Sequence, residues 1–85
     1  MTAPQPATGA ALLKPGATVY LGRDASVQFG GRCAITLRII RVLDWETFYG
    51  WRWVDGYVLN AAGDAVERRT VYIQPDGLRP ATPHR

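Results

Sequence analysis

The sequence predicts a single small all-β domain: four to five antiparallel strands curled into a barrel. Three observations predict it. Short runs rich in Ile, Val, Thr and aromatic residues recur along the chain, most of them closed by glycine, proline or Asn-x-x-Gly punctuation. The 85-residue length suits one domain and leaves no room for a second. In so few residues a flat sheet would expose one face and two edges, so a closed sheet is favoured.

Residues 1–15 carry Pro4, Pro6 and Pro15 among Thr and Ala without apolar periodicity, and read as a flexible tail. Residues 80–85, with Pro80, Pro83 and His84, read as a second one. The folding unit is then residues 16–79. Inside it, Thr18-Val19-Tyr20-Leu21 is a strand closed by Gly22. Ser26 to Phe29 reads as a second short strand, with Val27 and Phe29 on one face. Residues 33–44 form the longest apolar run. Ile35, Leu37 and Ile39 keep period two, and then Ile40 and Val42 take the opposite parity. A β-bulge near Ile39-Ile40 would return both sets to one side. Ile35, Ile39, Val42 and Leu43 also fit a helical stripe, although the density of Ile, Thr and Val favours strand. Residues 45–49 form a loop, Gly50 opens the strand WRWVDGYVLN, and Asn60 to Asp64 has hairpin-loop chemistry. The return strand runs from Ala65 to Gln74. Pro75-Asp76-Gly77 then turns the chain so that Leu78 packs back on the core.

Ten basic and seven acidic residues give a net charge of +3, and nine of the ten bases are arginine. Arginine forks match phosphate oxygens in two-point geometry, so a polyanion partner is compatible with this balance. The acids are interleaved with the bases, however, which equally suits an ordinary solvated surface. No apolar run reaches the ~18 residues needed to cross a bilayer, so no membrane association is expected. Met1-Thr2-Ala3-Pro4 lacks the positive segment of a secretory signal, and a cytoplasmic location is the expectation.

Six of the nine aromatics fall between Trp45 and Tyr57. Alternation from Gly50 places Trp51, Trp53, Asp55, Tyr57 and Leu59 on one face, and Arg52, Val54, Gly56, Val58 and Asn60 on the other. Asp55 in the aromatic row argues against that row being the core, because an unpaired buried carboxylate is costly. Gly56 among the valines marks a place where a strand bends or another backbone comes close. If the valines face inward, Trp51, Trp53 and Tyr57 form an exposed platform able to stack bases or to hold a peptide or a cation. The opposing reading makes the two tryptophans the core, since each can remove up to about 250 Å² from water. Both readings stand at this point.

Arg38 and Arg41 flank the expected bulge, and with both facing outward they would extend a basic strip beside Arg52. Solvated strand arginines that discourage edge pairing are the plainer alternative. Arg68 and Arg69 point to opposite faces, so only one can join a patch; the other is free to pair with Asp55 or Glu67. Catalysis finds little support. His84 is the only histidine, Cys33 has no histidine to activate it and reads as a buried strand residue, and Phe29-Gly30-Gly31-Arg32 lacks the spacing of a phosphate loop. A single cysteine also excludes an internal disulfide and any multi-cysteine metal site. No enzyme activity, cofactor, metal or small-molecule substrate is expected.

The opening Pro15-Gly16-Ala17-Thr18-Val19, the bent second strand, the Gly63 hairpin and the turn before Leu78 together resemble an SH3-like small barrel across residues 16–79. The series Trp51-x-Trp53-x-Asp55-Gly56-Tyr57-x-Leu59, followed by Arg68-Arg69-x-Val71-Tyr72-Ile73 and Gly77-Leu78, also looks like small proteins of high-GC bacteria, a likeness that implies no activity. SH3-like barrels include peptide binders, nucleic-acid modules and chromatin-type readers, so the resemblance leaves function to the site. The acidic loop of proline-peptide binders is not recognisable. The expectation is a non-catalytic binding module in a bacterial cytoplasm. Nucleic acid is the preferred partner, with Arg38, Arg41 and Arg52 on phosphate and Trp51, Trp53 and Tyr57 stacking. The alternative is a protein adaptor or homodimer using the same face or an open strand edge.

Overall fold

Five strands build the fold: β1 (Thr18–Leu21), β2 (Ile35–Leu43), β3 (Arg52–Leu59), β4 (Ala65–Ile73) and β5 (Arg79–Pro80). The structure, a computed structural model, describes residues 9–81. All neighbouring strands are antiparallel, in the order β4-β3-β2-β1-β5. Among the described residues there is no α-helix, only 3-10 turns at Gly9–Leu12, Val27–Phe29, Gly31–Cys33 and Pro75–Gly77.

The long apolar run is strand, and it carries the bulge that its change of parity requires. The register shifts between Ile39 and Arg41, leaving Ile40 as the extra residue. Ile39 opposite Gly56 and Val42 opposite Val54 thereby keep to one side of the sheet, while Arg41 opposite Asp55 takes the other. The β3–β4 hairpin is fixed at its tip. Asn60 Oδ1 accepts the N–H groups of Ala62 and Asp64, each at 2.9 Å, and Gly63 adopts φ 89°, a conformation that favours glycine.

One core cluster takes Val19 and Leu21 from β1, Leu37 and Ile39 from β2, Val54 and Val58 from β3, and Val71 and Ile73 from β4. Phe29, Ala25 and Leu78 complete it. The cluster thus lies on one face of the sheet and draws on four of its five strands. The Gln74 N–H donates to the Ala25 carbonyl at 2.7 Å, which ties the end of β4 to the segment after β1.

The connection after β1 differs from expectation. Residues 26–29 are not a strand: Ser26 caps a 3-10 turn, its Oγ accepting the Gln28 N–H at 3.4 Å. β1 already has β2 on one side and β5 on the other, so no edge is open for a further partner there. Val27 is 81% exposed and Phe29 2%, where a strand would have put both on one face. Cys33 is exposed, because it ends the 3-10 turn before β2 instead of entering the strand.

The packed unit also extends past both expected ends. Leu12 and Leu13 pack against the core, and the Gly16 N–H donates to the Ile39 carbonyl at 2.8 Å. Pro80 lies opposite Val19, and the Ala81 N–H donates to the Thr18 carbonyl at 3.0 Å. Residues 1–8 and 82–85, His84 among them, lie outside the described residues.

Candidate functional site

The sheet face opposite the core is organised in rows. On β3, Val54, Gly56 and Val58 are buried towards the core, so Trp53, Asp55 and Tyr57 stand on the outer face. Cross-strand pairing then sets three rows: Leu43–Trp53–Tyr72, Arg41–Asp55–Thr70 and Arg38–Tyr57–Arg68.

The first row belongs to a chain of four aromatic rings. Trp53 lies 5.5 Å from Trp45 and 4.7 Å from Tyr72, measured between ring centroids, and Tyr72 stacks on Trp51 at 4.9 Å and 24°. Such pairs add about 0.5–1.5 kcal/mol beyond the area they bury. The Tyr72 hydroxyl accepts the Phe48 N–H at 3.0 Å, which fastens the β2–β3 loop to β4. Trp51 and Trp53 are half-buried by these ring neighbours and are absent from the core cluster. Trp45 is 56% exposed and Tyr57 38%.

The second row centres on Asp55, a carboxylate only 4% exposed. Arg68 grips it with both prongs, Nε donating to Oδ1 at 3.2 Å and Nη2 to Oδ2 at 2.6 Å. Arg41 Nε approaches Oδ2 at 3.6 Å. The Arg68 hydrogen bonds hold the Asp55 carboxyl below its usual range, with the charges of Arg68 and Arg41 acting in the same sense, and they outweigh a burial that would raise it. The same contact raises Arg68 above its ordinary value. Burial of this charge is therefore compensated. Both arginine side chains remain more than half exposed, and each guanidinium carries five N–H donors, so outward donors remain. With Arg38, whose Nη2 donates to the Gly63 carbonyl at 3.5 Å, the face keeps two positive charges beyond Asp55.

The structure thus brings Arg38, Arg41, Trp53 and Tyr57 to one face, with Trp51 joined through Tyr72. Arg52 does not belong with them. It lies opposite Ile73 on the core side of the sheet, and its Nη1 donates to the neighbouring Trp51 carbonyl at 2.9 Å. Side-chain alternation excludes it from a strip built by Arg38 and Arg41. Trp45, Tyr72 and Arg68 join the face beyond the expected set. Arg69 points the other way, its guanidinium 5.7 Å from the centre of the Phe29 ring. Among the described residues no three His, Cys, Asp or Glu side chains converge as metal ligands would. No helix among them is long and apolar enough to cross a membrane. No protein family, curated protein or solved structure matches this chain.

Proposed function

We propose that the protein is a non-catalytic, SH3-like binding module that associates with nucleic acid through the outer face of its sheet. The observation that supports this reading is the banding of that face: guanidinium groups oriented by a buried carboxylate, bordered by Trp53 and Trp45 on one side and Tyr57 on the other. Arg38, Arg41 and Arg68 contact phosphate, and the rings supply stacking surfaces. Pinning by Asp55 lowers the ordering cost of the phosphate contacts made by Arg41 and Arg68, which are already positioned. The test is fluorescence anisotropy with labelled oligonucleotides across a salt series. Affinity falls as salt rises, and Arg41→Ala makes the slope of log affinity against log salt shallower by about 0.7 on a single strand. Absence of binding to every DNA and RNA probe at low salt contradicts the proposal.

A second reading, a protein partner or self-association, is favoured by one observation. β4 is an edge strand, and its Val66 is 61% exposed. A sedimentation measurement showing a stable dimer, together with no oligonucleotide binding, would select it.

A further inference from the structure

The rows of the outer face discriminate between the forms that a nucleic acid can take. We infer that this face takes an extended single strand, with unpaired bases on Trp45 and Tyr57 and intervening phosphates on Arg41 and Arg68. The inference rests on the nucleic-acid reading above and specifies its ligand.

Three features carry it. The first is which rings have a free face. Trp51 and Tyr72 are stacked on each other, and Trp53 lies between Trp45 and Tyr72, so these rings are spent on one another. Trp45 meets only Trp53, tilted at 59°, and stays 56% exposed; Tyr57 has no ring partner and is 38% exposed. These two are the open rings that border Arg41 and Arg68; Tyr20, 42% exposed on the same face, belongs to β1, two strands away from Tyr57.

The second is spacing. Trp53, which carries Trp45, and Tyr57 are four residues apart on β3, about 13 Å along the strand. Bases stacked in a duplex follow each other at about 3.4 Å per strand, with their faces covered by neighbours. Two rings so far apart cannot hold adjacent stacked bases, but they can hold bases splayed from an unstacked chain.

The third is charge. Arg41 and Arg68 flank Asp55 in the gap between the two rings, where the backbone of such a chain would pass. Around Trp45 the charges are mixed: Asp44 and Glu46 are its chain neighbours, and Arg52 lines a cavity with Asp44 and Trp45. The two arginines held on Asp55 therefore give a phosphate track between the two stacking sites.

The experiment compares a labelled 12-nucleotide single strand of mixed sequence with its blunt-ended duplex, at low salt, using the full chain. The single strand is expected to bind at least tenfold tighter. Trp45→Ala and Tyr57→Ala each weaken single-strand binding by about tenfold, the scale of one lost stacked base. Trp45→Phe, which keeps a smaller ring, falls in between, and circular dichroism of each variant establishes that it is folded. Equal affinity for the two probes, or folded ring variants that bind the single strand like the parent, overturns this inference while leaving a phosphate-based association intact. No binding of either probe overturns the nucleic-acid reading itself.

Discussion

Asp55 carries a charge that the fold buries on the sheet face away from the core, and two arginines make that burial sustainable. Replacing it with asparagine removes the charge that Arg68 and Arg41 share. The loss is expected to be about 1–2 kcal/mol, below that of a fully buried pair because both guanidinium groups can rehydrate. The pair's contribution is complete above the carboxyl's unfolded value near 3.8 and is lost as pH falls through the lower folded value. Denaturation midpoints measured from pH 6 down to pH 2 should therefore fall less steeply for Asp55→Asn than for the parent. Gly56 supports the opposite face in a different way. A Cβ there would lie 2.7 Å from the Arg38 carbonyl oxygen and 2.7 Å from Leu37 Cγ, so β2 and β3 would have to part. Gly56→Ala is expected to cost about 1–3 kcal/mol in thermal or chemical unfolding. Both positions were legible in the sequence, since a carboxylate among aromatics and a glycine among valines each break the local pattern.

At the scale of elements, the bulge in β2 was readable because two apolar series of opposite parity can share a face only if one residue is extra. The turn at residues 26–29 was not readable. Its apolar residues suit a strand, but both sides of β1 are occupied and the segment meets β4 through single hydrogen bonds, from Gln74 N–H to the Ala25 carbonyl and from Gln28 Nε2 to the Tyr72 carbonyl. Tyr72 was missed as a member of the aromatic chain for a related reason. It faces Trp53 only because β4 carries a second irregularity, with Leu59 opposite Ala65 and Val58 opposite Glu67, so that Val66 is extra. No period-two count anticipates that shift. The hairpin tip that sets this register makes its own prediction. Asn60→Ala removes the side-chain acceptor for two backbone N–H groups at the turn, and should lower stability by about 1 kcal/mol. Urea unfolding with an unchanged m-value would register it; a changed m-value would mean that the hairpin itself had come apart.

Over the whole molecule, the net charge of +3 is small, and nucleic-acid association has to come from local arrangement instead of a broad field. The outer face offers about three phosphate contacts, from Arg38, Arg41 and Arg68, which gives an expected log–log salt slope near −2 on a single strand. A slope several units steeper would require bases from elsewhere, such as Arg23, Arg32 or Arg79. Alternation alone puts Arg52 on the face of Val54 and Gly56, so a strip shared with Arg38 and Arg41 conflicts with inward-facing valines, and the structure has Arg52 opposite Ile73 on the core side. On that side an open groove is lined by Leu13, Val42, Phe48, Tyr49, Arg52 and Pro75. It competes with the outer face for the role of binding surface, and Leu13, Tyr49 and Pro75, which belong to none of the outer-face rows, let resonance tell the two apart. Titrating the ¹⁵N-labelled protein with a single-stranded oligonucleotide and following its amide, arginine Nε–H and indole N–H signals makes that distinction directly. The predicted result is shifts concentrated at Trp45, Arg41, Tyr57 and Arg68; shifts confined to Leu13, Tyr49 and the Pro75–Gly77 turn would contradict it.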